Sequence, residues 1–267
     1  MTEKMRPAAV AGMFYPNAPN VLRKAITDYL DQAAPLALSK VRAVIAPHAG
    51  YVYSGLVAAF AYKALLNCTT PPKRIYVMGP SHRVWFTGVA LADYDAFDTP
   101  LGAHPLDGEK IHTLIDSGAP FAAYNAAHTQ EHSLEVQFPF LRITFPDTPV
   151  VPLLFGDVDP LIVGRKLDEF LEPDDIIVVS SDLSHFHDNR TAHTLDHQFL
   201  DAVLSGDQHG AVRGEACGQA PALALMVLAE KYGWQPHLLD YRTSGDVTGD
   251  TRRVVGYASV GYEEVAQ

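Results

Sequence analysis

The feature that most limits what this chain can become is an alternation running its whole length. Short β-branched runs at 41–46, 74–78, 150–155, 176–180 and 254–260 are separated by helix-like stretches at 21–33, 53–67, 108–117, 134–145, 161–170, 191–205 and 220–232. Several of those stretches space their apolar residues by three and four, the period of a helix with one buried face. Strands that alternate with helices line up as a mostly parallel sheet, because each parallel return needs a crossover long enough to hold a helix. The expected fold is therefore α/β: one three-layer α/β/α domain with a mostly parallel central sheet, spanning 1–267. No linker rich in Gly, Pro or Ser and no repeat of fixed period divides the chain, and its 19 prolines are scattered. One segment breaks the rhythm. Residues 84–106 are aromatic and aspartate-rich (Trp85, Phe86, Tyr94, Phe97) and carry Pro100 and Pro105. They read as a β-hairpin or extended excursion of low helix content, of the kind that walls a pocket.

Composition removes several function classes. Hydrophobic residues make up 48% of the 267 and charged residues 19%, the balance of a chain that buries a core rather than staying disordered. Twenty Lys+Arg against 31 Asp+Glu give a net charge of −11, with no basic run, so neither nucleic acid nor an anionic membrane surface is an expected partner. A small-molecule or peptide ligand fits better. No apolar stretch approaches the ~20 residues that cross a bilayer, and the first twenty residues have no apolar leader core. Two cysteines, Cys68 and Cys217, form neither a disulfide framework nor a CxxC zinc motif, which points to a reducing compartment, the cytoplasm.

Twelve histidines are the compositional anomaly. Three strands end in the same way: VIAPHAGY places His48 just after 41–46, YVMGPSHR places His82 just after 74–78, and IVVSSDLSH places His185 just after 176–180. Ligands of open parallel sheets bind outside the carboxyl ends of the strands, so three loops would each deliver an imidazole to one rim. Pro47, Gly50, Gly79, Pro80 and Ser81 supply the tight turns this needs. Two or three histidines with a carboxylate suit Fe(II), Zn(II) or Cu(II). The carboxylate candidates are Asp182, two residues past a strand, and Asp246 and Asp250, which read equally well as turn residues. Asp182 also reads as a residue that orients a ligating histidine. A second cluster, His128, Glu131, His132 and Glu135, balances capping chemistry against function. Cys217 stands before a helix as either a reactive thiol or a buried one, while Cys68, His193 and His197 read as structural or solvated. No GxGxxG, Walker loop or GxSxG elbow is present, which disfavours nucleotide cofactors and the usual serine hydrolase.

In order along the chain, RPAAVAGMFYP at 6–16, APHAGYVYSG at 46–55, GPSH at 79–82, EHSLEVQFPFL at 131–141, SSDLSH at 180–185, CG at 217–218 and SGDVTGD at 244–250 resemble the Memo family. That family lies in the wider group similar to the LigB-like class III extradiol ring-cleavage dioxygenases. The resemblance implies a LigB-like fold, His48 and His82 as metal ligands, and His185 as the acid/base group beside the metal; in an oxygenase of that kind Asp182 would hold His185 in one tautomer. It implies a third ligand from the SGD segment, a glutamate in the dioxygenases and a cysteine in animal Memo proteins, where this chain offers Asp246. An aspartate there favours Fe(II), with Cu or Zn as the other metals such a site accepts. Similar microbial proteins are encoded beside radical-SAM and AMMECR-type proteins, which implies partners of that kind, the AmmeMemoRadiSam set. The expected function is a metal-dependent, dioxygenase-like oxidoreductase acting on a small substrate. The rival is a non-catalytic metal- or peptide-binding protein using the same pocket, with His132, Glu131 and Cys217 as further pocket residues; a metal-dependent hydrolase is a third reading.

Overall fold

The structure is a computed structural model in which residues 4–34, 36–67 and 71–265 are described; Cys68 lies outside them. In chain order they form β1 (Met5–Arg6), α1 (Pro19–Gln32), β2 (Val41–Ala46), α2 (Tyr51–Leu65), β3 (Arg74–Pro80), β4 (Val89–Leu91), β5 (Ala96–Phe97), β6 (His104–Pro105) and α3 (Gly108–Asp116). There follow β7 (Phe121–Ala123), α4 (Asn125–His128), a 3-10 turn (Glu135–Gln137) running into α5 (Phe138–Thr144), β8 (Val150–Phe155), α6 (Pro160–Asp168), β9 (Asp175–Ser180) and β10 (His185–His187). The chain closes with α7 (Asn189–Ser205), α8 (Gln208–Arg213), α9 (Gln219–Tyr232), β11 (Trp234–Thr243), α10 (Ser244–Thr248) and β12 (Val254–Glu264).

The heart of the main sheet is four parallel strands in the order β2-β9-β3-β8. Every residue of β8 and β9 is buried, which is why these strands read as unbroken β-branched runs: a sheet covered on both faces has no polar side to alternate with. The flanks are mixed. β12 pairs antiparallel with β2 and carries β10 and β11, while β4 pairs antiparallel with β8 and leads to β7. The sheet is thus parallel in its middle and antiparallel at its flanks. The crossover from β2 through α2 to β3 passes over β9, and the one from β8 through α6 to β9 passes over β3 in the opposite direction. Right-handed crossovers running in opposite directions put their helices on opposite faces, which makes three layers. Accordingly α2 packs with α1 and α5, and α6 with α9.

The segment 84–106 holds no helix, as its composition requires: β4 joins the main sheet, and β5 and β6 pair antiparallel beside β1 in a small three-stranded sheet. The stretch 134–145 is a 3-10 turn followed by α5, with Pro139 in the first helical turn, where its missing N–H does no harm. The sequence pattern gives no sign of β11, whose residues are nearly all half-buried. Among the described residues no helix is long and apolar enough to cross a membrane.

Candidate metal centre

The parallel register decides what meets at the carboxyl end of the sheet. Ala46 pairs with Ser180 and Met78 with Val179, so β2, β9 and β3 end side by side. Two residues further on, each strand delivers a site residue: His48, Asp182 and His82 respectively. A fourth residue, His132, arrives from the turn between α4 and the 3-10 turn. That turn presses on the end of β3 so closely that a Cβ on Gly79 would stand 2.8 Å from Leu134 Cδ2 and 3.2 Å from Ser133 Oγ, a space only glycine leaves. The ring centroids are 5.2 Å apart for His48 and His82, 5.5 Å for His48 and His132, and 4.6 Å for His82 and His132. One nitrogen from each ring lies within 4.8 Å of the other two.

Hydrogen-bond accounting fixes the protons. Gln137 donates from Nε2 to the Pro47 carbonyl (3.0 Å) and to Ser180 Oγ (2.8 Å), and the Ser180 hydroxyl donates its single proton to the Ser133 carbonyl (2.6 Å). Ser180 Oγ therefore has only acceptor capacity left for His48 Nδ1 at 2.9 Å, so Nδ1 carries the proton and Nε2 presents a lone pair. Burial, and next the neighbouring His82 and His132 rings, hold His48 well below the usual histidine range, so it stays neutral. His82 Nδ1 lies 3.0 Å from Glu131 Oε1, which as a carboxylate can only accept, so Nδ1 of His82 carries a proton and its Nε2 is the nitrogen turned away from Glu131. Burial raises the Glu131 carboxyl, but the His132 ring beside it, the His82 ring and the Ser133 N–H outweigh it and keep the group ionised far below the usual range. His132 Nδ1 is buried and makes no hydrogen bond, although it lies 3.2 Å from the same Glu131 oxygen. Such an orphaned nitrogen is costly in a protein with no use for it. Three imidazoles brought together, two of them with Nδ1 held by Ser180 and Glu131 and the third with a buried nitrogen that has no partner, are the donor set of a transition-metal site.

Asp182 is buried, which pushes its carboxyl up. Its Oδ1 accepts the His48 and Ala49 backbone N–H groups at 2.7 and 3.3 Å, so it anchors the His48 loop, and no hydrogen bond joins it to the His185 ring. His185 opens β10 and is half-buried, three residues past Asp182. Beside it Phe186 has φ +64°, and the pairing of β10 with β12 is irregular there. Asp246 is not with the histidines. It is the third residue of α10, and its carboxylate accepts the Thr243 N–H at 2.7 Å in a capping box. The pattern Thr-x-x-Asp at 243–246 is the signal that announces this role, and it competes with any reading as a ligand. His132 takes the third place in the cluster, and its only sequence signal was the motif EHSLEVQ.

Glu135 is structural. It forms a buried ion pair with Arg6 and accepts from Tyr15 Oη (2.6 Å) and the Ala9 and Val10 N–H groups (2.8 and 2.9 Å). Arg6 also donates to the carbonyls of His128 and Glu131, so residues 6–16 strap down the segment that carries His132. Phe14 of that strap lies against the His132 ring, with centroids 4.7 Å apart. Cys217, on the turn before α9, places Sγ 3.3 Å from His48 Nε2, and burial pushes its thiol up. A cleft of about 440 Å³ runs up to the centre, lined among others by His82, Trp85, Phe86, Phe155, Cys217 and Pro221. A cavity of about 460 Å³ near Lys40, Arg42 and Trp234, at the amino ends of the strands, touches none of these residues.

The family described as Memo-like protein matches residues 6–261. A MEMO1 family protein of Methanococcoides burtonii is 36% identical, aligned over 96% of this chain and 99% of its own. One from Methanobrevibacter smithii is 34% identical over 96% and 98%, and one from Methanopyrus kandleri 33% over the same shares. A crystal structure of an uncharacterized protein from Escherichia coli K12 aligns with 83% of this chain and 99% of its own, at a TM-score of 0.49 and 16% identity. With the family match running from the N-terminal strap into the last strand, this chain belongs to the Memo-like protein family.

Proposed function

We propose that the protein holds one transition-metal ion on His48, His82 and His132 and uses it for oxidoreductase chemistry on a small molecule entering through the cleft beside His82. One observation carries this reading: imidazoles from three separate loops converge within 4.8 Å, and the proton of His48 is committed away from the point of convergence. Fe(II), the metal the family resemblance names first, would supply redox chemistry toward a substrate and O₂; Cu and Zn also suit three imidazoles, and the carboxylate that favoured iron is committed to α10. The chain's own contributions are separable. Ser180 and Glu131 hold imidazole Nδ1 protons, Asp182 holds the His48 loop, and His185, three residues past Asp182, is the group that would exchange a proton with a bound substrate. Trp85, 80% exposed, and Phe186, 63% exposed, favour a second reading in which the same site binds a peptide without turnover.

Elemental analysis of anaerobically purified protein tests the ligand set. Near one metal per chain is expected in the wild type and in Asp246→Ala, with loss in His132→Ala. Metal kept by His132→Ala and lost by Asp246→Ala would overturn the assignment. Oxygen uptake with a panel of catechols then separates the two readings: turnover supports the oxidoreductase, and silence in the fully loaded protein supports the binder.

A further inference from the structure

The end of the sheet away from the histidines holds the cavity of about 460 Å³, a volume ordinary for a small-molecule site. It lies at the amino ends of β2 and β9, about the length of a six-residue strand, roughly 20 Å, from the metal centre. Its wall has two unlike parts, of which the first is aromatic. α9 ends at Gly233, whose φ of +69° turns the chain into β11, and the turn leaves the rings of Tyr232 and Trp234 stacked, with centroids 5.2 Å apart and planes 17° from parallel. Trp234 is buried and the Tyr232 hydroxyl donates to Asp168 at 2.8 Å, so the pair is held in place, and Leu171 and Pro173 extend the apolar surface. The second part is charged. Lys40 Nζ and Arg42 Nε stand 2.9 and 3.2 Å from the oxygens of one carboxylate, Glu264, so two cations share a single anion and the group keeps a positive charge.

Two residues of this wall carry a buried polar atom with no hydrogen bond among the described residues. The Arg42 side chain is 11% exposed and its Nε is one of them. Asp175, whose side chain is 1% exposed, is the other: Oδ2 accepts the Glu172 N–H at 2.9 Å and pairs with Arg74 at 3.2 Å, while Oδ1 has no partner. A buried donor and a buried acceptor left unpaired are costly unless something from outside the chain completes them. The chemistry that would do so is narrow. A guanidinium fork matches a carboxylate, a fixed aromatic pair matches a flat ring, and an unpaired carboxylate oxygen takes an N–H or O–H donor. We propose that this cavity is a second ligand site, for a small molecule that combines a flat ring, a carboxylate and one such donor. The carboxylate is held by Arg42, the ring lies on the Tyr232 and Trp234 wall, and the donor bonds Asp175 Oδ1. Aromatic α-amino acids and hydroxylated aryl acids both carry this chemistry. No metal takes part, so the site stands whether or not the histidines hold one.

The test is calorimetric titration of the full chain with matched probes: L-phenylalanine (ring, carboxylate, ammonium), phloretate (ring, carboxylate, hydroxyl), hydrocinnamate (no donor) and phenethylamine (no carboxylate). The expected result is saturable binding of L-phenylalanine or phloretate, the tighter of the two identifying the donor, with phenethylamine at least tenfold weaker and hydrocinnamate several-fold weaker. Arg42→Met should weaken the tighter probe at least tenfold, and His132→Ala should leave it unchanged. In Trp85→Phe the one remaining tryptophan is Trp234, and its fluorescence should follow the same saturation curve. No binding of any ring carboxylate, phenethylamine binding as tightly as the acids, or full affinity in Arg42→Met would overturn the site. Hydrocinnamate binding as tightly as both other acids would overturn the part given to Asp175, and binding lost in His132→Ala would move the ligand to the metal centre. The probe series uses unmutated protein, so it decides the matter even where Arg42→Met folds poorly.

Discussion

Ser180 never touches what the centre would hold, yet it places the His48 proton. Its hydroxyl is committed to the Ser133 carbonyl and its lone pairs to Gln137 and His48. Ser180→Ala leaves the buried Nδ1–H without an acceptor and frees the ring to take the other tautomer. Loss of such an outer partner weakens metal affinity by roughly 10–100-fold. Competition against a chromophoric chelator measures it, and an unchanged affinity would show that the proton is held by something else. Glu131 plays the corresponding part for His82 and approaches His132 as well. In the sequence it stands equally between capping and function; in the structure it accepts the His132 and Ser133 N–H groups of the turn that follows it, outside the N-cap of the 3-10 turn. What the sequence did not disclose is that the same carboxylate reaches across to a loop 49 residues away.

At the scale of elements, α10 separates two roles that a motif had merged. Asp246 caps this short helix, so Asp246→Ala should lower stability by about 1 kcal/mol, a fall of roughly 2–4 °C in Tm for a chain of this size, while metal content stays unchanged. A thermal melt beside elemental analysis reads both, and loss of metal at intact stability would contradict the capping role. The strap at 6–16 is a second such unit. Arg6 is 1% exposed and pairs with the equally buried Glu135, so Arg6→Met strands a carboxylate in the interior. Removing one partner of a buried pair destabilises by about 3–5 kcal/mol, and the urea midpoint should fall accordingly. A fall of under 1 kcal/mol would mean that Glu135 takes up a proton or meets water.

Across the whole molecule, three buried histidines make acid the enemy of the fold. Burial lowers His48 well below its usual value and brings His104 and His128 down to about 4. His104 donates from Nε2 to the Thr148 carbonyl and leaves Nδ1 buried without a partner, so a second proton has nowhere to bond; for His128, burial is reinforced by the Arg6 charge. Because these folded values lie below the unfolded value of about 6.5, the unfolded chain takes up protons first. Their contribution is complete above pH 6.5 and is lost as pH falls toward 4. His104 and His128 should each account for about 2 kcal/mol of lost stability between pH 7 and 5, at 1.36 kcal/mol per pH unit. Urea denaturation at stepped pH checks this: the slope should become shallower in His128→Gln, and an identical slope would remove that histidine from the account.

By itself the sequence determined the layered α/β fold and the rim where chemistry gathers. Both are local properties: β-branched runs of strand length, apolar residues at helical spacing, and a histidine a few residues past the end of a strand. His48 and His82 were readable because the strand that aims each of them is adjacent in the chain. Only the tertiary structure decided what stands third. His132 reaches the rim because Gly79 leaves room for its turn and a strap more than a hundred residues earlier clamps that turn through Arg6, and Cys217 comes close because Gly218 lets α9 settle on β9. Contacts of that kind depend on the packing of distant segments, to which neither spacing nor periodicity along the chain is sensitive.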